Sequence, residues 1–316
     1  MEPSRHLPQH DGILTSDFSN FSSDFCSNKI TMPGFVIPNP NPNPIRPNIL
    51  KYDGYASFAA ALQDNLQTCH EVLEFSGVST DDFNFLSSDS NRPLKSAKLS
   101  YNFLTGFLTI KMPMLAHEII TGLFKALVDR QLLAMGVFDE FIPLASPLTV
   151  LGNWAKEPDA CWAPESTDDL TVVLEVGTSE SARQLAIDAR GWLETPGTTV
   201  EACITINLSR ANNLIITVWQ LGKRVYAVSS RNIPSSAVRV QQIEILNGDA
   251  GSEVHGWKIY HNSSSVSTDE IRLDFSMFVG RPAATNIEHD IVMDKNLLIA
   301  FADRFWRHQS RRLQGR

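Results

Sequence analysis

The sequence predicts a mixed α/β fold, a β-sheet flanked by helices, with a disordered N-terminal segment before it and a C-terminal helix after it. Three observations predict this. Between residues 99 and 221, apolar residues alternate between β-rich runs and stripes at helical spacing, in the order strand, helix, strands, helix, strands. Hydrophobic residues are 43% of the chain and charged residues 20%, which supports a sizeable core. No apolar run approaches the roughly 18 residues that a membrane-spanning helix needs.

Each element has its own warrant. Residues 1–50 are rich in Ser, Asn, Asp and Pro, and Asn39-Pro40-Asn41-Pro42-Asn43-Pro44 opposes both helix and sheet ladder, so this segment is expected to be disordered. Residues 51–98 read as a helical or irregular lead-in. Phe58, Leu62, Leu66, Cys69 and Leu73 predict a helix within 56–75, and 76–96 is polar and turn-rich. The core is expected over 99–280. Phe103 to Lys111 (FLTGFLTIK) reads as a strand, and Pro113 suits the first turn of the helix that follows. That helix carries the stripe Leu115, Ile119, Leu123, Ala126 and Leu127, and Gly136 stops it. Short strands follow at 148–150, 158–162 and 170–176. Ser179 suits the N-cap of a second helix reaching Glu194, and Thr195-Pro196-Gly197 ends it. Residues 200–207 and 214–221 read as strands joined by a turn, with further strands at 238–246 and 271–279. Residues 281–316 close the chain with a basic amphipathic helix. Leu298, Phe301, Ala302, Phe305 and Trp306 lie on one side, with Arg304, Arg307 and Arg311 on the other.

Charge and cysteine usage narrow the classes. The net charge is −8, divided as −1 over residues 1–50, −11 over 51–293 and +4 over 294–316. An acidic body is unlike a general nucleic-acid binder, because phosphate contacts need Lys and Arg. Cys26, Cys69, Cys161 and Cys203 form no CxxC pair, so neither a zinc site nor a disulfide framework is expected. The N-terminus lacks the apolar stretch of a secretory signal. An intracellular place, cytoplasmic or nuclear, is the expectation, and the sequence carries no signal of oligomeric state.

Three carboxylates stand out by their settings. Asp159 follows Pro158 at the start of a strand. Glu175 ends the apolar strand Leu170-Thr171-Val172-Val173-Leu174-Glu175-Val176. Glu118 follows His117 in the first turns of the first core helix. A charge at the end of an apolar strand is costly to bury unless it is paired or bound to a metal. Acids from neighbouring strands repel one another, and a hard cation such as Mg2+ or Mn2+ relieves that repulsion through oxygen ligands. Such a cation stabilises charge on a phosphodiester and acidifies an attacking water.

The bland readings differ. Asp159 could cap a turn, Glu175 could pair with Arg183, and Glu118 in a first turn suits the helix dipole. His117-Glu118 does not begin a zinc-protease motif, since Thr121 stands where the second histidine belongs.

Pro158-Asp159, followed by Glu175-Val176-Gly177, resembles the PD-(D/E)XK pattern of the restriction-endonuclease-like superfamily. The segment from Leu108 to Trp192 is similar to uncharacterised fungal members: it carries His117-Glu118, Lys156-Glu157-Pro158-Asp159, Glu175-Val176-Gly177-Thr178-Ser179-Glu180-Ser181 and Asp188-Ala189-Arg190-Gly191-Trp192 in that order. The resemblance implies a metal-dependent nuclease acting on nucleic acid. Asp159 and Glu175 would bind the metal, Glu118 would assist, and the Val176 carbonyl would be a further ligand. The family's lysine belongs where Gly177 stands. Arg183, Arg190 and Lys156 are the candidates to replace it, although an arginine stays protonated and makes a poor general base. The alternatives are a catalytically inactive member used as a binding or interaction module, and an unrelated α/β protein whose acids are structural.

Overall fold

The structure, a computed structural model, describes residues 49–68, 72–88, 90–92, 94–167, 169–178, 182–209, 211–222, 236–248, 251–259 and 265–314. All but the last two residues of the expected disordered segment lie outside these, as does the Ser179 cap. The N-terminal part holds β1 (Ile49–Lys51), α1 (Tyr55–Thr68), β2 (Val72–Ser76), α2 (Thr80–Ser87), β3 (Lys98–Asn102) and β4 (Phe107–Lys111). Then come α3 (Leu115–Ala134), β5 (Phe141–Leu144), β6 (Thr149–Leu151), β7 (Trp154–Lys156), β8 (Ala160–Pro164), β9 (Val172–Gly177) and α4 (Ala182–Glu194). The remainder is β10 (Ala202–Leu208), β11 (Leu214–Leu221), β12 (Ala237–Gly248), β13 (Gly251–Ile259), β14 (Ser265–Ser267), β15 (Ile271–Leu273), α5 (Ser276–Val279), β16 (Ile291–Met293) and α6 (Lys295–Gln314).

The fold is mixed α/β, with two larger sheets. One has the order β1-β2-β4-β3-β7-β6, and α1 and α2 bury Phe58, Leu62, Phe83 and Leu86 against Phe75, Leu99, Tyr101, Leu108 and Ile110 in a core of its own. The lead-in is thus more regular than its composition suggests. The single helix expected within 56–75 ends at Thr68, and Leu73 belongs to β2. The turn-rich stretch holds α2, a helix too short and polar to show a strong period. The Ser79 hydroxyl caps it by accepting from Asp82 N at 3.1 Å, and two aromatic or aliphatic anchors bury it. The expected strand over 103–111 is a hairpin turn plus β4. The Asn102 side chain accepts from the N–H groups of Leu104 and Thr105, and Gly106 takes φ +63° at the close.

The larger sheet has the order β14-β13-β12-β11-β10-β9-β8-β5. It is antiparallel apart from β9 and β10, which run parallel and are joined by α4. This join is a crossover, which a parallel pair requires. On one face α3, α5 and α6 cover a core that includes Ile120, Phe124, Leu174, Val176, Ile204, Phe301 and Phe305. On the other, α4 packs Ala189 and Trp192 against Cys161, Val173 and Cys203. A strand buried on both faces reads as a continuous apolar run, which is how β9 appears in the sequence.

Two phases differ from expectation. The fully buried stripe of α3 is Ile120, Phe124, Val128 and Leu132, one residue on from the stripe read in sequence; Leu115 is exposed. The helix is apolar on more than one side, so periodicity alone leaves its rotation open, and packing against β9 and α6 chooses it. The strand expected over 271–279 divides into β15 and the short helix α5, which Gly280 ends at φ +75°. The C-terminal helix matches expectation: Leu298, Phe301, Ala302, Phe305 and Trp306 are buried, and Arg304, Arg307 and Arg311 are exposed.

Candidate active site

The acids lie where the chain passes from one sheet to the other. Lys156 ends β7 in the smaller sheet, and four residues later Ala160 begins β8 in the larger. The link is anchored by Glu157, buried, which takes a two-pronged ion pair from Arg92 at 2.6 and 2.7 Å and the Leu99 N–H at 2.7 Å. In the β8–β9 register Ala160 stands opposite Leu174, so Asp159 and Glu175 occupy adjoining places just beyond that pair. Alternation along β9 puts Glu175 with Val173, on the face that α4 covers, whereas Asp159, at a bend just ahead of β8, meets His117 of α3. Both carboxylates are buried.

Each acid meets an ammonium from the other sheet. Asp159 Oδ2 accepts the Val176 N–H at 2.7 Å and lies 3.4 Å from Lys111 Nζ, at the end of β4. His117 Nε2, in the first turns of α3, stands 2.9 Å from the same oxygen, close but off the line of a hydrogen bond. Lys111 Nζ also donates to the Val176 carbonyl at 2.6 Å. Glu175 Oε1 accepts the Trp192 indole N–H at 2.5 Å and lies 3.0 Å from Lys156 Nζ, which in turn donates to Asp188 at 2.7 Å.

The electrostatics follow from these contacts. Burial alone would raise the Asp159 carboxyl, but Lys111 and His117 outweigh it and hold it well below the usual carboxylate range. Burial lowers His117, yet Asp159 outweighs burial and lifts the imidazole to about 9. Burial raises the Glu175 carboxyl, more than Lys156 can offset, and the charges of Asp159 and Asp188 add to the rise. Burial would lower Lys156, but Asp188 and Glu175 push it above the ordinary lysine value. Three carboxyl groups, those of Asp159, Glu175 and Asp188, therefore share two lysines and a histidine that is protonated at neutral pH.

The other candidates are placed differently. Glu118 sits at the rim with its carboxylate 57% exposed and 3.7 Å from His117 Nδ1, and the histidine lowers its pKa. Arg183 and Arg190 lie on the exposed side of α4, away from the buried side that carries Trp192, and Arg190 stands beside Glu194 at 3.9 Å. Of the three candidates to replace the lysine missing at Gly177, Lys156 alone is brought to Asp159 or Glu175 among the described residues. Lys111, His117 and Asp188 were missed as site residues. Lys111 carried a usable signal, a charge at the end of an apolar strand, the same signal that singled out Glu175.

The donor set suits a hard divalent cation in kind: the carboxylates of Asp159 and Glu175, the Val176 carbonyl, and Asp159 Oδ1, which is buried without a hydrogen-bond partner among the described residues. Two of those donors, Asp159 Oδ2 and the Val176 carbonyl, are held by Lys111. No group of three or more His, Cys, Asp or Glu side chains among the described residues is arranged to hold a metal.

No protein-family model and no curated protein matches the chain. Among solved structures, it is similar to a crystal structure from Anabaena variabilis described as a candidate nuclease of DUF820, at 10% identity and a TM-score of 0.41, over 72% of this chain and 99% of that one. Among the described residues no helix is long and apolar enough to cross a membrane.

Proposed function

We propose that this chain is a nuclease-like protein of the PD-(D/E)XK type that acts on phosphodiesters of nucleic acid with Mg2+ or Mn2+. The observation that carries the reading is Lys156, whose ammonium lies 3.0 Å from Glu175 and so supplies in space the cation that Gly177 denies in sequence. Asp159, Glu175 and the Val176 carbonyl would hold the metal, which when bound polarises a phosphodiester and acidifies water. Lys156 places positive charge beside the acids, where a phosphate's developing charge would be stabilised. Asp188 and Trp192 orient Lys156 and Glu175 respectively. Glu118, at the exposed rim beside His117, would assist from the helix.

The test is cleavage of single- and double-stranded DNA and RNA with Mg2+ or Mn2+, comparing wild type with Asp159→Ala and Lys156→Gln. Loss of activity in both, with folding retained by circular dichroism, is the expected result. Cleavage that survives Asp159→Ala excludes the assigned role.

One observation favours a second reading, a catalytically inactive binding module. Lys111 holds the Val176 carbonyl at 2.6 Å and Asp159 at 3.4 Å, so an internal ammonium stands where the cation would. Calorimetric titration separates the two: wild type that takes up no Mn2+ and cleaves no substrate belongs to the second reading.

A further inference from the structure

We infer that the exposed stripe Arg304, Arg307, His308 and Arg311 of α6 is a docking track for the phosphate backbone of nucleic acid. The spacing i, i+3, i+4, i+7 puts these residues on one face, and all four are exposed. The opposite face is spent on the core through Leu298, Phe301, Ala302 and Phe305. Residues 304–311 hold no acid, and the acid just before them, Asp303, accepts the Ser252 hydroxyl at 2.5 Å.

The stripe's arginines stand apart from several others in this acidic chain. Arg92, Arg272 and Arg281 are each tied to carboxylates, Arg281 to both Glu140 and Glu288. Among the described residues no carboxylate pairs with Arg304, Arg307 or Arg311, and Arg307 only donates to the Asp303 carbonyl. Guanidinium groups left without internal anions are available to external ones. From 304 to 311 the helix rises about 10 Å, roughly three phosphates along one duplex strand. The net charge of −8 does not forbid this, because at physiological salt screening confines each charge to about 8 Å.

Placement joins the stripe to the acid pair. The Val292 N–H donates to Gln131 near the end of α3, whereas Phe301 meets Phe124, nearer its start, with ring centroids 6.1 Å apart. Thus α6 runs antiparallel to α3, and its basic end heads toward the end of α3 that bears His117 and Glu118. A strand laid on the arginines is directed toward the acids. The choice of nucleic acid over another polyanion rests on the proposed nuclease-like reading.

The experiment is fluorescence anisotropy with the full chain and labelled 20-nucleotide single-stranded and 20-base-pair duplex DNA probes across a salt series, without divalent metal. Wild type is compared with the triple variant Arg304→Gln/Arg307→Gln/Arg311→Gln and with the corresponding triple Arg→Lys variant. Removal of three phosphate contacts is expected to lower the slope of log K against log salt by about 2 to 3 for duplex, with affinity reduced at least about tenfold, and the lysine variant stays within a few-fold of wild type. The positions are solvent-exposed, and an unchanged melting temperature checks that both variants fold. Equal slopes in wild type and the glutamine variant overturn the proposal, as does a wild type that binds neither probe at low salt. Polyglutamate that displaces the probe at equal charge assigns the stripe to an acidic protein instead. Cleavage by wild type with unaltered binding by the glutamine variant sinks this inference alone. Arginine-dependent binding without cleavage sinks the nuclease reading alone.

Discussion

At Asp159 one carboxylate oxygen gathers the Val176 N–H, the Lys111 ammonium and the His117 imidazole, while its other oxygen is buried without a hydrogen-bond partner among the described residues. Such a group depends on its cations: remove one and a buried charge is left short of compensation. The histidine makes this measurable. Its folded-state pKa of about 9 lies above the ordinary 6.5, so it binds its proton more tightly folded than unfolded. The stability it contributes is fully present below about pH 6.5 and is lost as pH rises to about 9, a loss of at most about 3 kcal/mol. The melting temperature is expected to fall across that window, and His117→Gln to flatten the fall. A wild-type curve level from pH 6.5 to 9 would contradict the assignment. Asp159 has the opposite sign: its pKa is lowered, so its contribution is present above its ordinary value and is lost only on acidification.

Among the elements, β13 shows how a backbone constraint hides in an ordinary strand. A Cβ at Gly256 would meet Ile243 Cδ1 at 2.0 Å, the Thr268 carbonyl at 2.6 Å and the Gln242 carbonyl at 3.1 Å. The Ile243 methyl can turn aside; the two carbonyls cannot, and Gly256 also accepts the Thr268 N–H through its own carbonyl at 2.9 Å. Gly256→Ala is therefore expected to destabilise the protein by about 1–3 kcal/mol, read as a lower midpoint in urea with an unchanged slope. Loss of less than about 0.5 kcal/mol would mean that the strand moves aside freely. The same packing logic sets the phase of α3, where the stripe that meets the sheet is one residue on from the stripe that periodicity favours.

For the whole molecule, α6 completes a core formed by residues distant in sequence. It brings Leu298, Phe301, Ala302, Phe305 and Trp306 onto Phe124 and the strands beneath. Each large apolar side chain contributes roughly 1.5–3 kcal/mol when buried, so deleting 295–316 removes on the order of a whole domain's net stability. The truncated chain is expected to be insoluble or to lack a cooperative melt by circular dichroism. A cooperative transition in that chain would show that α6 is an appendage.

What the sequence by itself determined is what local pattern carries: the mixed α/β class, the apolar run of β9 with Glu175 near its end, Asp159 just ahead of β8, and the two faces of α6. Alternation and helical spacing are short-range properties, and a proline or glycine marks an end wherever it stands. Tertiary structure alone decided which charges meet. Lys111 and Val176 are 65 residues apart, and only the passage of the chain between two sheets puts that ammonium on that carbonyl. It also brought Lys156, rather than Arg183 or Arg190, beside Glu175, since a helix shows which residues share a face but not which face turns toward a neighbouring strand. The acids were legible because a strand that is otherwise wholly apolar makes a buried charge conspicuous; their partners were not, because pairing is a property of folded space.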